Sequence, residues 1–215
     1  MVIAIDGPAG SGKSTVARRL AERLGFIYID TGAMYRGVGL LALRSGVALS
    51  DAAALESLAA GAQLHFSASN RLMAGDEDLA DQIRTPEVAD ASSIVSTVAG
   101  VRREMVEIQR RLGRDGNVVM EGRDIGTVVF PDAEVKVFLK ASPEERARRR
   151  FAEQPQGPAL AEVTAQIRER DARDTERDVS PLRQAPGAVA IDSTGLSIDE
   201  VIEEIERLTR ERRPR

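Results

Sequence analysis

A glycine-rich segment near the N-terminus carries the clearest chemistry in this sequence. Residues 7–14 read Gly-Pro-Ala-Gly-Ser-Gly-Lys-Ser and match the pattern G-x-x-x-x-G-K-[ST] throughout. An apolar run at residues 2–5 precedes the segment, and leucines at helical spacing follow it, so a strand leads in and a helix leads out, as this motif requires. The pattern predicts a loop whose backbone N–H groups surround the phosphates of a nucleoside triphosphate. A chance glycine-rich turn is the structural alternative.

The side chains of this loop have separate predicted roles. Lys13, one of only three lysines in the chain, is expected to bridge the β- and γ-phosphates, and the Ser14 hydroxyl to bind Mg²⁺. Thr15 is a further phosphate contact. The residues that we assign to ATP in this loop are Gly7, Gly10, Ser11, Gly12, Lys13, Ser14 and Thr15.

Two further polar segments follow apolar runs that are typical of strands. Residues 30–36 come after the second run, and residues 121–124 come after the third. Ligands of open parallel sheets lie at the carboxyl ends of the strands, so both segments are expected at the ligand edge. Arg36 and Arg123 are candidates for an acceptor phosphate, and Asp124 offers a hydrogen-bond acceptor. A packed helix start and a salt-bridged turn remain the alternatives.

Two arginine-rich helical stretches flank the Pro/Gly segment at residues 154–158. The first carries arginines at positions 146 and 148–150, of which Arg149 is assigned to ATP. The second places three arginines on one predicted helical face: Arg170, Arg173 and Arg177. Helices on either side of a flexible loop indicate a lid over phosphates. A solvated charged surface is the alternative interpretation of such arginines.

The abundance of arginine favours a phosphorylated acceptor over an alcohol. Phosphoryl transfer depends on charge neutralisation and alignment more than on covalent help. A phosphomonoester is largely ionised at neutral pH, its second pKa being about 6, so no general base is required. Guanidinium groups bind phosphate oxygens in a bidentate manner, and the sequence has no H-R-D-x-x-x-x-N catalytic loop.

Short apolar runs alternate with amphipathic stretches, which predicts an α/β fold with a five-stranded parallel sheet and helices on both faces. The strands are expected at residues 2–6, 26–30, 117–121, 135–139 and 188–192. Helix starts are indicated by Thr85-Pro86 and by Ser142 and Ser197, each three residues before a glutamate.

One stretch departs from this alternation. Residues 48–81 predict a short helix and a small antiparallel hairpin around Ser69-Asn70. We interpret the chain as a single P-loop domain with a core of residues 1–36, 82–145 and 178–215. An insertion spans about 37–81 and a short lid about 146–177.

Composition excludes several classes of protein. The chain has 215 residues, 42% of them hydrophobic, a formal net charge of −4 and no cysteine. This balance does not suit a dedicated nucleic-acid binder, and disulfides and thiolate chemistry are excluded. The apolar runs are shorter than a membrane span, and no signal peptide precedes the first strand. We expect a cytoplasmic monomer that acts on small molecules, with neither nucleic acid nor membrane as a partner.

Taken together, these segments resemble the nucleoside monophosphate kinases, and among them the bacterial cytidylate kinases, over essentially the whole chain. The most specific blocks are TGAMYR at 31–36, IRTPEV at 83–88, GRDIGTVVFPDA at 122–133 and RDARD at 170–174. The resemblance implies conversion of CMP and dCMP to their diphosphates by direct in-line transfer from ATP with Mg²⁺. The insertion resembles the enlarged monophosphate-binding domain of bacterial members.

Carried over to matching positions, the resemblance also implies residue roles. The residues predicted to bind the acceptor nucleotide are Thr31, Tyr35, Arg36, Ser93, Arg102, Arg123, Asp124, Arg170, Asp174 and Arg177. Positions 36, 123 and 177 would hold its phosphate, positions 93, 102 and 124 would read the cytosine edge with help from 31, and positions 170 and 174 would contact the sugar. The predicted catalytic residues are Lys13, Arg123 and Arg177.

Two positions depart from the family pattern. Thr31 stands where many members have serine, but it keeps the hydroxyl. The lid near residues 155–158 is shortened, which leaves the roles of arginines 146–150 open. A kinase for another monophosphate or for a small alcohol such as shikimate, and a non-enzymatic nucleotide-binding switch, are the rival functions.

Overall fold

The computed structural model describes residues 1–153 and 157–212. In chain order the elements are β1 (Val2–Asp6), α1 (Lys13–Leu24), β2 (Ile27–Asp30), α2 (Thr31–Arg44), α3 (Ala52–Gly61), β3 (Leu64–Phe66), β4 (Leu72–Ala74), β5 (Glu77–Asp78), a 3₁₀ turn (Gln82–Arg84), α4 (Pro86–Val95), α5 (Ala99–Gly113), β6 (Val118–Gly122), a π-helical turn (Ile125–Val129), β7 (Val135–Lys140), α6 (Pro143–Glu153), α7 (Leu160–Glu176), β8 (Val189–Asp192) and α8 (Ile198–Arg212).

The five predicted strands form one sheet in the order β2-β6-β1-β7-β8. Strand β1 pairs in parallel with β6 and β7, and β7 pairs in parallel with β8. All five residues of β1 and of β6 are buried, because helices cover both faces of such a sheet. The α/β prediction is confirmed, and each strand boundary lies within one residue of its predicted position.

The chain divides into two compact units, Met1–Tyr28 with Gly116–Arg215, and Ile29–Asp115. In the first unit, apolar side chains of β1, β7 and β6 pack with those of α1 and α8. The predicted face of α8 is buried as expected: Val201, Ile202, Ile205 and Leu208. This core fixes the carboxyl ends of β1 and β6, where the polar segments of the first unit begin.

The second unit has its own apolar core, built around α2, α4 and α5. Gly39 lets α2 approach α4 closely, since a Cβ there would lie 3.0 Å from the Ser92 nitrogen. The predicted hairpin is present as β3 and β4, with Asn70 in the turn at φ 57°, and β5 adds a third antiparallel strand. The insertion expected at 37–81 lies wholly within this unit, which extends beyond it on both sides.

The predicted helix caps are also present. The Thr85 hydroxyl accepts a hydrogen bond from the Val88 nitrogen at the start of α4. At the start of α8, Ser197 and Glu200 bond to each other's backbone nitrogens, at 2.8 and 3.2 Å, which completes a capping box. In the part of the chain that the structure describes, no helix has the length and apolar character needed to cross a membrane.

Candidate active site

The glycine-rich loop between β1 and α1 adopts, at three positions, a backbone conformation that favours glycine. Gly7, Gly10 and Gly12 have φ values of 152°, 77° and 92°. A Cβ at Gly7 would lie 2.0 Å from the Leu139 carbonyl oxygen of β7. The predicted strand–loop–helix context is confirmed, and it directs the first N–H groups of α1 toward the space enclosed by the loop.

Lys13 lies at the start of α1 and is buried, with 5% of its surface exposed. Its Nζ donates a hydrogen bond of 2.7 Å to the Pro8 carbonyl within the loop. Burial, followed by the nearby charge of Arg123, lowers the pKa of Lys13 well below its usual value, while Glu121 and Asp174 oppose the shift. An anion bound in the loop would stabilise the charged ammonium. Ser14 and Thr15 are exposed beside it.

Asp6 ends β1 immediately before the loop, and only 3% of it is exposed. Its two carboxylate oxygens accept hydrogen bonds from the backbone nitrogens of Ile125 and Gly126, at 2.8 and 2.7 Å. Burial raises the pKa of Asp6 to about 6, against the lowering effect of those two bonds. Asp6 therefore holds the π-helical turn that follows Asp124.

Arg123 and Asp174 form a buried ion pair in the first unit. The Arg123 Nε donates to the Asp174 Oδ2 at 2.8 Å, and only 18% and 6% of the two side chains are exposed. Burial by itself would raise the pKa of Asp174, but the charges of Arg123 and Arg170 hold it below the usual value. Three residues predicted to bind the acceptor are thus electrostatically coupled.

Arg177 is placed differently from its prediction. Helix α7 ends at Glu176, and Arg177 follows it with an extended backbone, φ −62° and ψ 141°, so the expected helical face with Arg170 and Arg173 is wrong at this position. Its Nε donates to the Ser180 carbonyl at 2.7 Å, and its Nη2 lies 3.8 Å from Asp124. The extended residue thereby brings a buried guanidinium to Asp124.

The arginines of α6 divide into buried and exposed members. Arg149 contacts Ser11 of the glycine-rich loop and Ser193, through bonds of 3.4 and 2.7 Å to their carbonyl oxygens. Arg146 is almost wholly buried, with 3% exposed. Arg148 and Arg150 have 71% and 45% of their side chains exposed. The predicted flexible loop lies in part outside the described residues, at 154–156.

In the second unit, Asp30 organises the start of α2. One carboxylate oxygen accepts the Ala33 nitrogen at 2.9 Å, and the other accepts the Arg36 Nη2 at 2.7 Å. The same carboxylate therefore caps the helix and orients Arg36. Thr31, between them in sequence, is buried.

A second polar cluster of this unit joins α2 with α4 and α5. The Arg102 guanidinium lies 5.3 Å from the centre of the Tyr35 ring, a cation–π distance, and its Nη1 donates to the Ser96 carbonyl at 3.1 Å. Ser93 is buried, and its Oγ has no hydrogen-bond partner among the described residues. A buried hydroxyl in that state can still receive a polar ligand group.

The structure thus brings the predicted residues together in two sets. The first unit holds the loop residues with Arg123, Asp124, Arg149, Arg170, Asp174 and Arg177, and the second holds Thr31, Tyr35, Arg36, Ser93 and Arg102. The sequence indicated Arg146 only as one of the lid arginines, and it gave no role for Asp6, Asp30 or Asp171. Asp30 could have been found from its capping position three residues before Ala33. For Asp6, the only indication in the sequence is its position at the end of a predicted strand.

Comparison with known proteins shows which family the chain is similar to. The family model for cytidylate kinase matches residues 3–211. The chain is 53% identical to the cytidylate kinase of Solibacter usitatus, with 99% of this chain and 93% of the relative covered. It is 49% identical to the cytidylate kinase of Geobacter sulfurreducens, with 99% and 94% covered. A shikimate kinase structure from Bacteroides thetaiotaomicron covers 98% of each chain with a TM-score of 0.52 at 16% identity, a likeness of fold.

Proposed function

Because the chain belongs to the cytidylate kinase family of nucleoside monophosphate kinases, we propose that it transfers the γ-phosphoryl group of ATP directly to the phosphate of CMP or dCMP. The observation that carries this proposal is the buried group of charges around Lys13. Lys13 is 5% exposed and bonded to the Pro8 carbonyl at 2.7 Å, and the Arg123 guanidinium is held by Asp174 at 2.8 Å. The charge of Arg123 helps to lower the pKa of Lys13, while Glu121 and Asp174 oppose the shift. Such a fixed array is what transfer between two phosphates requires.

The glycine-rich loop is the proposed site of the ATP phosphates. Its backbone N–H groups would bind the β-phosphate, and Lys13 would exchange the Pro8 carbonyl, 2.7 Å away, for β- and γ-phosphate oxygens. That exchange places the ammonium where negative charge is redistributed during transfer. Arg149, which contacts Ser11 of the loop, is the proposed side-chain partner of ATP on α6.

The residues present suit a magnesium ion that arrives with ATP. Mg²⁺ keeps several waters and is usually bound by one or two protein oxygens together with substrate phosphates. The exposed Ser14 hydroxyl, directly after Lys13, is the oxygen that would hold it. When bound, Mg²⁺ neutralises phosphate charge and polarises the γ-phosphoryl group. Thr15, equally exposed, is proposed as a further phosphate contact.

Arg36 of the second unit, and Arg123 and Arg177 of the first, are each proposed to bind the acceptor phosphate, as the family resemblance implies. Arg36 is held by Asp30 at 2.7 Å, and Arg123 by Asp174 at 2.8 Å, so each is oriented before a ligand binds. Preorganised donors of this kind lower the barrier because they need no rearrangement during transfer. Arg170 and Asp174 are the proposed contacts of the sugar.

Cytosine recognition is proposed for Asp124, Ser93 and Arg102, with Thr31 and Tyr35 supporting them. The exocyclic amine of cytosine donates, while its N3 and O2 accept, so a carboxylate and a guanidinium are complementary to it. Uracil lacks that donor and would leave a buried carboxylate unmatched, which costs about 1–3 kcal/mol per lost contact. We further propose that the protein works as a cytoplasmic monomer without nucleic-acid or membrane partners.

The test of this proposal is ADP release measured in a coupled assay with CMP, dCMP, UMP, AMP, shikimate or no acceptor. We expect strong turnover with CMP and dCMP only, and its loss in the Lys13→Met variant. Equal or greater turnover with UMP or AMP would contradict the base assignment, and turnover with shikimate would indicate an alcohol kinase. ATP binding without acceptor-dependent turnover would indicate a nucleotide-binding switch.

A further inference from the structure

Arg146 of α6 is a buried cation that contacts the glycine-rich loop. Its guanidinium makes four hydrogen bonds: Nε to the Ala141 carbonyl at 3.1 Å, Nη1 to the Ala9 carbonyl at 3.1 Å, and Nη1 and Nη2 to the two carboxylate oxygens of Asp171 at 3.0 and 2.6 Å. Only 4% of the Arg146 side chain and 24% of the Asp171 side chain are exposed.

These bonds join three parts of the first unit. Ala9 belongs to the glycine-rich loop, Ala141 follows β7, and Asp171 lies on α7. Helix α6 also touches the loop directly, since a Cβ at Gly10 would lie 3.2 Å from the Arg146 Cβ. The loop backbone and α7 are therefore attached to the same guanidinium.

The position of Asp171 on α7 gives this attachment a consequence. Asp171 is adjacent to Arg170 and three residues before Asp174, so any shift of α7 at Asp171 also shifts both neighbours. Bidentate arginine–carboxylate pairs restrict geometry as well as adding stability, and a buried hydrogen-bonded network allows few alternative arrangements. A displacement of about 1 Å can reduce a reaction rate by about 100-fold.

We propose that the Arg146–Asp171 ion pair is a positioning element that fixes α7 to the triphosphate loop and so sets Arg170 and Asp174 for the acceptor nucleotide. The inference rests on the proposed function, because it concerns the binding of CMP by the same protein. It assigns Arg146 to holding the loop and α7 rather than to contact with ATP. Asp171 acts through Arg146.

The experiment compares Asp171→Asn, Arg146→Lys, Arg146→Met and the double variant Arg146→Met/Asp171→Asn. Asp171→Asn keeps one acceptor but loses the charge, so we expect the KM for CMP to rise about tenfold, with the Kd for ATP within about twofold because the bond to Ala9 remains. Arg146→Met also loses that bond, so both constants should rise. Arg146→Lys keeps the positive charge but cannot make the bidentate contact with Asp171, so the KM for CMP should remain raised.

Two matched controls separate positioning from general effects of charge. Glu169→Gln neutralises another α7 carboxylate, which is 71% exposed and lies 3.4 Å from Arg173. Arg207→Met breaks a bidentate pair on α8 whose arginine is 48% exposed. Both controls should leave the two constants unchanged. Calorimetric titration with CMP and with ATP, on protein whose melting curve shows it to be folded, supplies the dissociation constants.

The double variant decides the inference. If Asp171 acts through Arg146, the double variant should be no worse than Arg146→Met alone. Additive losses, or an unchanged KM for CMP in Asp171→Asn and Arg146→Lys, would overturn it. Absence of CMP turnover in the unmodified protein would instead refute the proposed function, so the two failures are distinguishable.

Discussion

Two regions of the first unit contain arginine–carboxylate pairs of nearly the same geometry but different surroundings. Beside the glycine-rich loop, Arg146 binds both oxygens of Asp171 at 3.0 and 2.6 Å, with 4% and 24% of the side chains exposed. On α8, Arg207 binds both oxygens of Glu204 at 2.9 and 2.6 Å, with 48% and 40% exposed. The α8 pair lies within one helix, whereas the other joins two.

From this difference we expect that burial and location, more than bond geometry, decide what an ion pair contributes. An exposed pair in water contributes about 0–1 kcal/mol and leaves its helix free. Removing one partner of a buried pair strongly destabilises the protein. Such a pair therefore holds the elements that carry it in one arrangement. Arg123–Asp174, with 18% and 6% exposed, belongs to the buried class.

The largest effect is expected from Arg123→Met. This change removes a buried guanidinium that is proposed to bind the acceptor phosphate during transfer, and it leaves Asp174 without the partner at 2.8 Å. We expect kcat to fall about 1000-fold, at the lower end of the range for arginines that stabilise this transition state. Steady-state ADP release measures it, with Arg207→Met as the exposed control. A fall in kcat of less than about tenfold would indicate that Arg123 stabilises the fold and does not act on the phosphate.

A pH-dependent effect is expected from Asp6, whose pKa is raised from 3.8 to about 6. Between those values the folded state binds more protons than the unfolded state, so the free energy of unfolding falls as pH rises, by about 1.4 kcal/mol per pH unit. Above about pH 6 this contribution is constant. Asp6→Asn does not titrate and should lack the slope.

Urea unfolding of both proteins at about pH 5 and about pH 7 measures this effect as a difference. We expect the stability of the unmodified protein relative to Asp6→Asn to be lower at about pH 7, by about 1 kcal/mol. A relative stability that rises with pH would show that the two backbone bonds from Ile125 and Gly126 outweigh burial.

An effect smaller than that of Arg123→Met, and more selective, is expected from Asp124→Ala. Loss of the proposed contact to the cytosine amine should raise the KM for CMP about tenfold to 100-fold, which corresponds to about 1–3 kcal/mol. The KM for ATP should change by less than about twofold, since Asp124 pairs with Arg177, which is proposed to bind the acceptor. Calorimetric titrations with each nucleotide distinguish the two. A fall in ATP affinity would assign Asp124 to the metal site instead.

The sheet and the triphosphate loop could be predicted because their signals are local. Apolar runs bounded by turns gave the five strands, and the spacing of three glycines and a lysine gave the loop. Capping residues gave the starts of α4 and α8. In each case the residues that determine the structure lie within a few positions of one another.

The buried connections could not be predicted, since they join residues that are far apart in sequence. Asp6 binds nitrogens about 120 positions away, and Arg146 binds both Ala9 and Asp171. The error at Arg177 has a related cause. Helical spacing predicts a shared face only while the helix continues, and α7 ends one residue earlier.

The most direct test of the central claim is transfer of the label from ATP carrying ³²P at the γ-phosphate. If the buried cations align ATP with CMP for direct transfer, labelled CDP should form from CMP, and UMP at equal concentration should give little or no labelled UDP. Label that appears in inorganic phosphate or on the protein instead of in CDP would contradict the account.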